Sequence, residues 1–325
     1  MKRLEKKFGF SPASFFTTFR QIASIVAAIC VWEILFSCAS NPPSVESVNV
    51  NAFDTLEHDL NVYVRIPVSV HSELTNNLMK SFIGSDVPEK YIKNITDSID
   101  MVYLGVGSPL NKWRLQIACD GNISGATKIA LSSMENWKME TKKFGATGMY
   151  TIYTEANSKL QLCVPGSNLI FLSKDLTPQL AFYDKEASSQ ESASILNDGE
   201  ANSNAYEWKA SEVYNFVGNA ETNNVRIYMK APLAFVTNLL GVSLSTSIFQ
   251  LNFLEADLKL LPSGKYSIDL DMEFKKDGLV AKAAAFLNVA FFLADSKVAV
   301  LDERHLRITG LQVSMAQLQR ILALN

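Results

Sequence analysis

Alternating apolar and polar positions predict a series of strands in the first half of the chain. The runs with this pattern are LNVYVRIPVSV from Leu60, SIDMVYLGVG from Ser98, KWRLQIACDG from Lys112, GMYTIYTEA from Gly148 and KLQLCVPGSNLIFLS from Lys159. Two segments between them predict helices: SELTNNLMKSFIG, with Ser72 as its N-cap and Gly84 as its stop, and SGATKIALSSM, capped by Ser124. The predicted order is therefore β-α-β-β-α-β with one further strand.

The same order of elements is predicted again after residue 205. The strand-like run NVRIYMKAP precedes an apolar helix, and a strand–turn–strand segment, a second apolar helix, two strands and a terminal helix follow. Residues 184–205, between the two groups, are rich in Ser, Ala, Asn and Glu, which predicts a flexible linker. We therefore predict an α+β fold. It is a tandem pair of related units, residues 59–183 and 206–325, each a mostly antiparallel sheet with helices on one face.

The N-terminal segment predicts export and attachment of lipid. Basic residues are followed by the apolar run IASIVAAICVWEILF, which as a helix would be about 22 Å long, shorter than the roughly 30 Å hydrocarbon core of a bilayer. The motif Leu35-Phe36-Ser37-Cys38 resembles a bacterial lipobox. We therefore predict a signal peptide over residues 1–37, acylation of Cys38 and a flexible tether over residues 38–58. An ordinary signal peptide and an uncleaved anchor are the alternatives.

The charge of the chain argues against nucleic acid as a partner. The full sequence has 30 Lys and Arg against 33 Asp and Glu, a formal net charge of −3. Removal of residues 1–37 would leave 25 basic and 31 acidic residues, a formal charge of −6. Nucleic acid requires a basic surface, and an acidic body is not attracted to anionic lipid by its charge. Attachment to a membrane must therefore come from covalent lipid or from apolar surface.

The sequence has no recognisable catalytic motif. Asp269 and Asp271 fall on one face of a predicted strand, followed by Glu273, and paired carboxylates can bind calcium or transfer protons. The apolar residues that alternate with them favour a strand with one solvated face. His71 and His305 have no identifiable catalytic partner in the sequence, and His305 lies among charged residues typical of a surface loop. No cofactor and no bound metal are expected.

Two cysteines besides Cys38 would remain in the exported chain. Cys119 and Cys163 each lie in a strand-like run. In an oxidising compartment they could form a disulfide, and as free thiols they could equally be buried like small apolar side chains.

Two segments in the second half carry almost no charge. The first, Pro232–Leu254, has no charged residue, and the second, Leu279–Leu293, has one, Lys282. Either these helices cover a sheet and are buried, or one face of them enters a bilayer or holds a lipid chain. The predicted contact residues are Leu233, Phe235, Val236, Leu239, Leu240, Phe286, Leu287 and Phe291.

The lipobox with phenylalanine before Ser37, the tandem α+β body and the apolar helices together resemble treponemal outer-membrane lipoproteins. The resemblance implies a protein on the periplasmic leaflet of the outer membrane that has lipid as its ligand and perturbs the bilayer without catalysis. Our leading hypothesis is therefore an envelope lipoprotein that binds lipid or a membrane through its second unit. The alternatives are an assembly lipoprotein that binds another envelope protein, and an enzyme whose site is assembled from residues distant in sequence.

Overall fold

Twelve strands form one sheet in the described part of the chain. The computed structural model describes residues 49–83, 88–107, 114–123, 136–144, 148–193, 207–233, 236–237, 245, 247–291 and 296–322. The strands are β1 Val62–Pro67, β2 Ile99–Gly107, β3 Arg114–Gly121, β4 Trp137–Phe144, β5 Gly148–Glu155, β6 Gln161–Cys163, β7 Leu169–Ser173, β8 Val225–Lys230, β9 Leu251–Leu260, β10 Tyr266–Phe274, β11 Lys297–Val300 and β12 His305–Val313. Every neighbouring pair of these strands is antiparallel.

The strand order joins the two halves of the chain in this sheet. Across it the strands run β11-β12-β10-β9-β8-β1-β2-β3-β7-β6-β5-β4. The strands β1 and β8 pair at the middle, with Val62 opposite Met229 and Arg65 opposite Arg226. Residues Val48–Asn325 accordingly form one compact unit, so the two predicted units share a sheet.

Alternation along each strand produces a front and a back core, because successive side chains point to opposite faces. On β1, Val64 and Ile66 belong to the front core, and Tyr63 belongs to the back core. The front core extends from β4 to β12. The back core ends near β8, so beyond that strand the back face is polar. Strands covered on both sides are apolar in consecutive positions, as in β7, where all five residues are buried.

Helices cover both faces of the sheet, whereas we predicted them on one face. They are α1 Val68–Ile83, α2 Glu89–Thr96, α3 Thr177–Ala193, α4 Leu279–Ala290 and α5 Met315–Leu322. The front core contains Leu74 of α1, Ile92 of α2, Leu287 of α4 and Leu318 of α5. The back core contains Leu180 of α3, together with side chains of a 3-10 turn, Ala52–Thr55, and a π-helical turn, Tyr214–Gly218.

The prediction of a flexible tether is wrong for residues 49–58. Asn51 caps the 3-10 turn, where its side chain accepts a hydrogen bond of 2.9 Å from the Phe53 amide. Phe53 is fully buried, and its ring lies 5.4 Å from the ring of Trp208. Trp208 stacks in turn on His58 at 4.1 Å. The polar residues of this segment suggested a tether, but its apolar residues Val50, Phe53 and Leu56 are all buried in the back core. Residues 38–48 lie outside the described range.

The predicted linker is wrong for residues 184–193, which continue helix α3. The side chain of Asp175 accepts a 2.9 Å hydrogen bond from the amide of Thr177 at the start of this helix. Leu180 and Tyr183 bury its first turns against the back of the sheet. The residues that follow, 184–189, are mainly polar, and an interpretation that starts at Asp184 therefore misses the apolar residues that fix the helix. Residues 194–205 lie outside the described range.

Smaller differences concern helix starts and two unpredicted elements. Helix α1 begins at Val68 and bends at His71, where φ is −116° and ψ is 34°, one residue before the predicted cap Ser72. Strand β4 and helix α2 were not predicted, because WKMETKKF and EKYIKNIT are mainly polar. The predicted helix SGATKIALSSM lies wholly outside the described residues.

Candidate membrane-contact site

Helix α4 is an almost uncharged helix at one end of the sheet. It begins after Gly278, whose φ of 76° is a left-handed conformation that favours glycine. The helix lies over β11 and β12. Its inner side, formed by Val280, Ala283, Ala284 and Leu287, is buried in the front core. This stripe repeats every three to four residues, as one face of a helix requires.

The outer side of α4 is also mainly apolar. Val289 is 78 % exposed and Phe286 is 39 % exposed. The alanines at the exposed positions 281, 285 and 290 extend this surface, and Lys282 is its one charged residue. An isolated exposed valine requires no explanation, but an exposed helix face with a single charge is unusual for a soluble surface.

Phe286 is held in place by a short aromatic series. Its ring meets that of Phe249 edge to face at 5.7 Å, and Phe249 lies 6.3 Å from Phe274 in the core. Such edge contacts orient rings and add to the stabilisation from burial. Phe286 therefore presents a fixed part of its ring to the exterior.

Strand β11, the edge strand next to α4, adds two more exposed apolar side chains. Val300 is 52 % exposed and Leu301, immediately after the strand, is 51 % exposed. Val300 lies opposite Leu306, a front-core residue, so its side chain is on the same face of the sheet as α4. Leu301 lies opposite His305, on the back-face side, so we refer to Phe286, Val289 and Val300 as the apolar patch.

The predicted contact residues divide between exterior and core. Phe286 is exposed and Phe291 is half-buried, whereas Leu287 is fully buried. In the other apolar segment Val236 is fully buried and Leu233 is half-buried. Phe235, Leu239 and Leu240 lie outside the described residues. Leu287 and Val236 support the front core here and cannot touch lipid in this conformation, so membrane contact stays a prediction for the exposed members.

Val289, Val300 and Leu301 were missed by the sequence reasoning. The helical stripe that was recognised, from Val280 to Phe291, is largely the one that faces the sheet. Val289 lies on the opposite side of the helix, and its exposure could have been inferred from that stripe. The exposure of Val300 depends on β11 being an edge strand, which periodicity does not reveal.

The predicted carboxylates face solvent on the back of the sheet and are engaged with neighbours. Asp271 accepts two hydrogen bonds from Arg307, of 2.6 and 3.0 Å, and Asp269 accepts one of 2.9 Å from the Gly310 amide. Glu273 pairs with Arg304 at 2.9 Å. Among the residues that the structure describes, no group of His, Cys, Asp and Glu is arranged to hold a metal. This arrangement matches the solvated strand that the alternation favoured.

Glu255 is the most perturbed acid on this back face. It lies opposite Asp271 on the neighbouring strand. Partial burial, and then the negative charges of Asp271 and Glu212, raise the pKa of Glu255 to about 7. Arg226 and Arg307 oppose this shift. Partial burial is thus the larger cause, and the neighbouring carboxylates on the sheet add to it.

The two predicted histidines have different surroundings. His71 is buried, with Nδ1 3.0 Å from the hydroxyl of Tyr266 and Nε2 2.8 Å from the carbonyl oxygen of Asn223. The carbonyl can only accept, so Nε2 carries the proton and the Tyr266 hydroxyl donates to Nδ1. Burial lowers the pKa of His71. His305, at the start of β12, is exposed and contacts Asp302 at 2.7 Å.

Cys119 and Cys163 are both buried free thiols. Cys119 belongs to the front core and Cys163 to the back core, so their side chains point to opposite faces of the sheet and cannot form a disulfide with each other in this fold. Burial raises the pKa of both thiols to about 12. Of the two sequence alternatives, the structure therefore supports buried thiols.

The comparisons with known proteins identify the class to which the chain belongs. The chain belongs to a family of outer membrane-associated lipoproteins, whose model matches residues 47–319. This family is described as outer membrane-associated lipoprotein TP0453. The predicted resemblance to treponemal-type lipoproteins is confirmed, as is the predicted location in the cell envelope with a lipid anchor. Acylation of Cys38 itself stays a prediction, since residues 1–48 lie outside the described range.

Solved structures of TP0453 share the fold at low sequence identity. Its crystal form I is 14 % identical, with a TM-score of 0.59 over 85 % of this chain and 97 % of that one. Crystal form III is 15 % identical, with a TM-score of 0.56 over 85 % and 98 % of the respective chains. No curated protein sequence matches the chain. In the part of the chain that the structure describes, no helix is both long and apolar enough to span a bilayer.

Proposed function

We propose that this protein is a non-enzymatic lipoprotein on the periplasmic face of the outer membrane and that its apolar patch contacts the bilayer. The observation that carries the proposal is the outer side of helix α4. Phe286 and Val289 are exposed there, beside Val300, with Lys282 as the one charge on the helix. An exposed apolar surface beside a lipid anchor favours insertion among acyl chains over a purely aqueous setting.

The length of the tether supports contact between the body and the membrane. Because residues 49–58 are packed, only the ten residues from 39 to 48 separate Cys38 from the folded body. Fully extended, ten residues span at most about 35 Å. A body of this size has a diameter of the same order. The anchor therefore holds the body next to the bilayer, where the patch needs no long-range attraction to reach it.

The charge of the body agrees with apolar contact as the source of attachment. Electrostatic adsorption requires basic residues, and α4 has a single lysine. The exposed part of Val289 together with that of Phe286 would contribute roughly 2–3 kcal/mol on transfer to hydrocarbon. That contribution, together with that of Val300, is expected to give the unacylated body a weak but measurable affinity for vesicles, while acyl chains would supply the main affinity of the anchored protein.

Vesicle binding of the unacylated body tests this proposal. The fragment Val48–Asn325, which contains the whole compact unit, would be floated with vesicles of neutral phospholipid. We expect measurable binding that Val289→Glu abolishes. Met149→Glu is the matched control, because Met149 is 63 % exposed at the opposite end of the sheet. Equal loss from both variants, or no binding by the unmodified fragment, would contradict the proposal.

A further inference from the structure

The strand ladder is repeated outward from the central β1–β8 pair. On one side the order is β1-β2-β3-β7-β6, and on the other it is β8-β9-β10-β12-β11. In each half the first three strands form a meander. The fourth strand in spatial order, β7 or β12, comes later in the chain, and the fifth, β6 or β11, is its antiparallel partner. The fifth strand on one side, β6, therefore corresponds to the fifth on the other, β11.

The register of the ladders supports this correspondence. Val64 lies opposite Ile227 at the centre of the β1–β8 pair, where a twofold axis would exchange the two halves. Moving outward from this axis, matched positions on the two sides keep the same face of the sheet. The front-core partners Val102, Cys119 and Ile170 on one side correspond to Leu254, Met272 and Leu306 on the other.

The two corresponding strands differ at their outer edges. The outer edge of β6 is paired with β5, through Ile152 opposite Cys163. The outer edge of β11 has no strand partner within the described residues. A strand position that is filled in the first half is thus open in the second, as far as the described residues extend.

The main chain of β11 directs hydrogen-bonding groups toward this open edge. The Leu301 amide donates a 3.0 Å hydrogen bond to the carbonyl of His305, so residue 301 is bonded inward to the β12 side. Residues along an antiparallel strand alternate between inward and outward bonding. The amides and carbonyls of Val298 and Val300 therefore point outward.

The side chains make this edge suited to pairing, in contrast to the opposite edge. Apart from Lys297, β11 consists of Val298, Ala299 and Val300. The other edge strand, β4, carries Lys138, Glu140, Lys142 and Lys143. Charged side chains, lysines above all, are how proteins block unwanted pairing at a sheet edge. The β11 edge lacks that protection, and Val300 on it is 52 % exposed.

We propose that β11 pairs antiparallel with β11 of a second copy of this protein. Outward-bonding residues must face each other, which places Val298 opposite Val300 of the second copy and Ala299 opposite itself on the twofold axis. Lys297 then faces Leu301 of the second copy, so no like charges are opposed. The small side chain of Ala299 at the axis leaves room for both strands. A single self-complementary strand gives a closed dimer.

The lipid anchor and the position of α4 explain why such a short contact is sufficient. A four-residue strand pair buries far less than the roughly 800 Å² per partner of a standard interface. Confinement to a membrane surface raises the effective concentration of the two copies. A twofold axis perpendicular to the sheet keeps both α4 helices on the same side. The pairing requires the lipid anchor only, so it stands or fails separately from lipid contact by the patch.

Cross-linking at the proposed axis tests the pairing in the full-length, membrane-attached protein. Directly opposed residues in a non-hydrogen-bonded antiparallel pair have Cα atoms about 4.5 Å apart, within the range of a disulfide. Mild oxidation of the variant Ala299→Cys is therefore expected to give a covalent homodimer. The buried Cys119 and Cys163 do not interfere. Addition of Val300→Pro, which removes one outward amide, is expected to abolish the dimer, and Val300→Thr, which retains it, is not.

Two controls decide the outcome. Thr141→Cys, at an exposed position of the other edge strand, is expected to give no dimer. If Val300→Pro does not fold, Val300→Lys replaces it and is expected to reduce the dimer by placing charge at the edge. The proposal is overturned if Ala299→Cys stays monomeric or cross-links to a different protein. It is also overturned if Thr141→Cys dimerises equally, or if neither substitution at position 300 changes the yield.

Discussion

Replacement of Phe53 by alanine distinguishes a packed N-terminal segment from a flexible tether. Phe53 is fully buried, and the rings of Tyr63, Tyr103, Trp208 and Tyr214 have their centroids between 5.4 and 5.9 Å from its own. These rings are attached to strands and turns of the back core and cannot collapse into the space. Phe53→Ala should therefore show the full cost of a buried cavity, about 3–5 kcal/mol in the free energy of unfolding.

Urea unfolding followed by far-UV circular dichroism and tryptophan fluorescence measures this loss. Trp208 stacks on Phe53, so its share of the fluorescence, added to that of the other tryptophans, reports the local packing, and circular dichroism reports the sheet. Phe286→Ala is the control, because Phe286 is 39 % exposed and should cost clearly less. A loss below about 1 kcal/mol for Phe53→Ala would show that residues 49–58 are not packed, since surface changes have effects of that size.

Three further predictions concern titratable groups of the core and the back face. Cys119 and Cys163 should resist maleimide in the native protein and react after unfolding, because both are buried with pKa values near 12. Burial lowers the pKa of His71 below 6.5, so the free energy of unfolding should fall as the pH drops below 6.5, and His71→Gln should flatten this decline. Glu255 has a pKa raised from 4.5 to about 7, so its ionisation costs stability as the pH rises through 7. Glu255→Gln should therefore stabilise the protein at pH 8 and have little effect near pH 4.5, as measured by denaturant titration at each pH.

The sequence predicts most strands because their patterns follow from burial. In β10 the front side chains are buried and the back side chains are more exposed. Apolar and polar residues therefore alternate along its sequence, and this alternation predicts a strand. β2 and β3 were also predicted within a residue or two of their ends. The helix α4 was predicted from its inner stripe, which is nearly the same set of residues that is buried.

What the sequence could not predict depends on contacts between distant segments. Phe53 is buried only because Trp208 and the back of the sheet are there to receive it. The same reason applies to α3, whose apolar residues occupy its first turns. The exposure of Val300 follows from the position of β11 at the edge, which is a property of strand order. Local patterns contain none of this information.

The most direct test of the proposed function locates the outer side of α4 relative to the bilayer. An environment-sensitive fluorophore on Val289→Cys would be measured in the fragment Val48–Asn325 with vesicles that contain a lipid-bound quencher, and Met149→Cys would carry the same probe as control. We predict strong quenching at position 289 and none at position 149. If vesicles quench the probe equally at positions 289 and 149, or quench it at neither position, the claim that the apolar patch enters the membrane is contradicted.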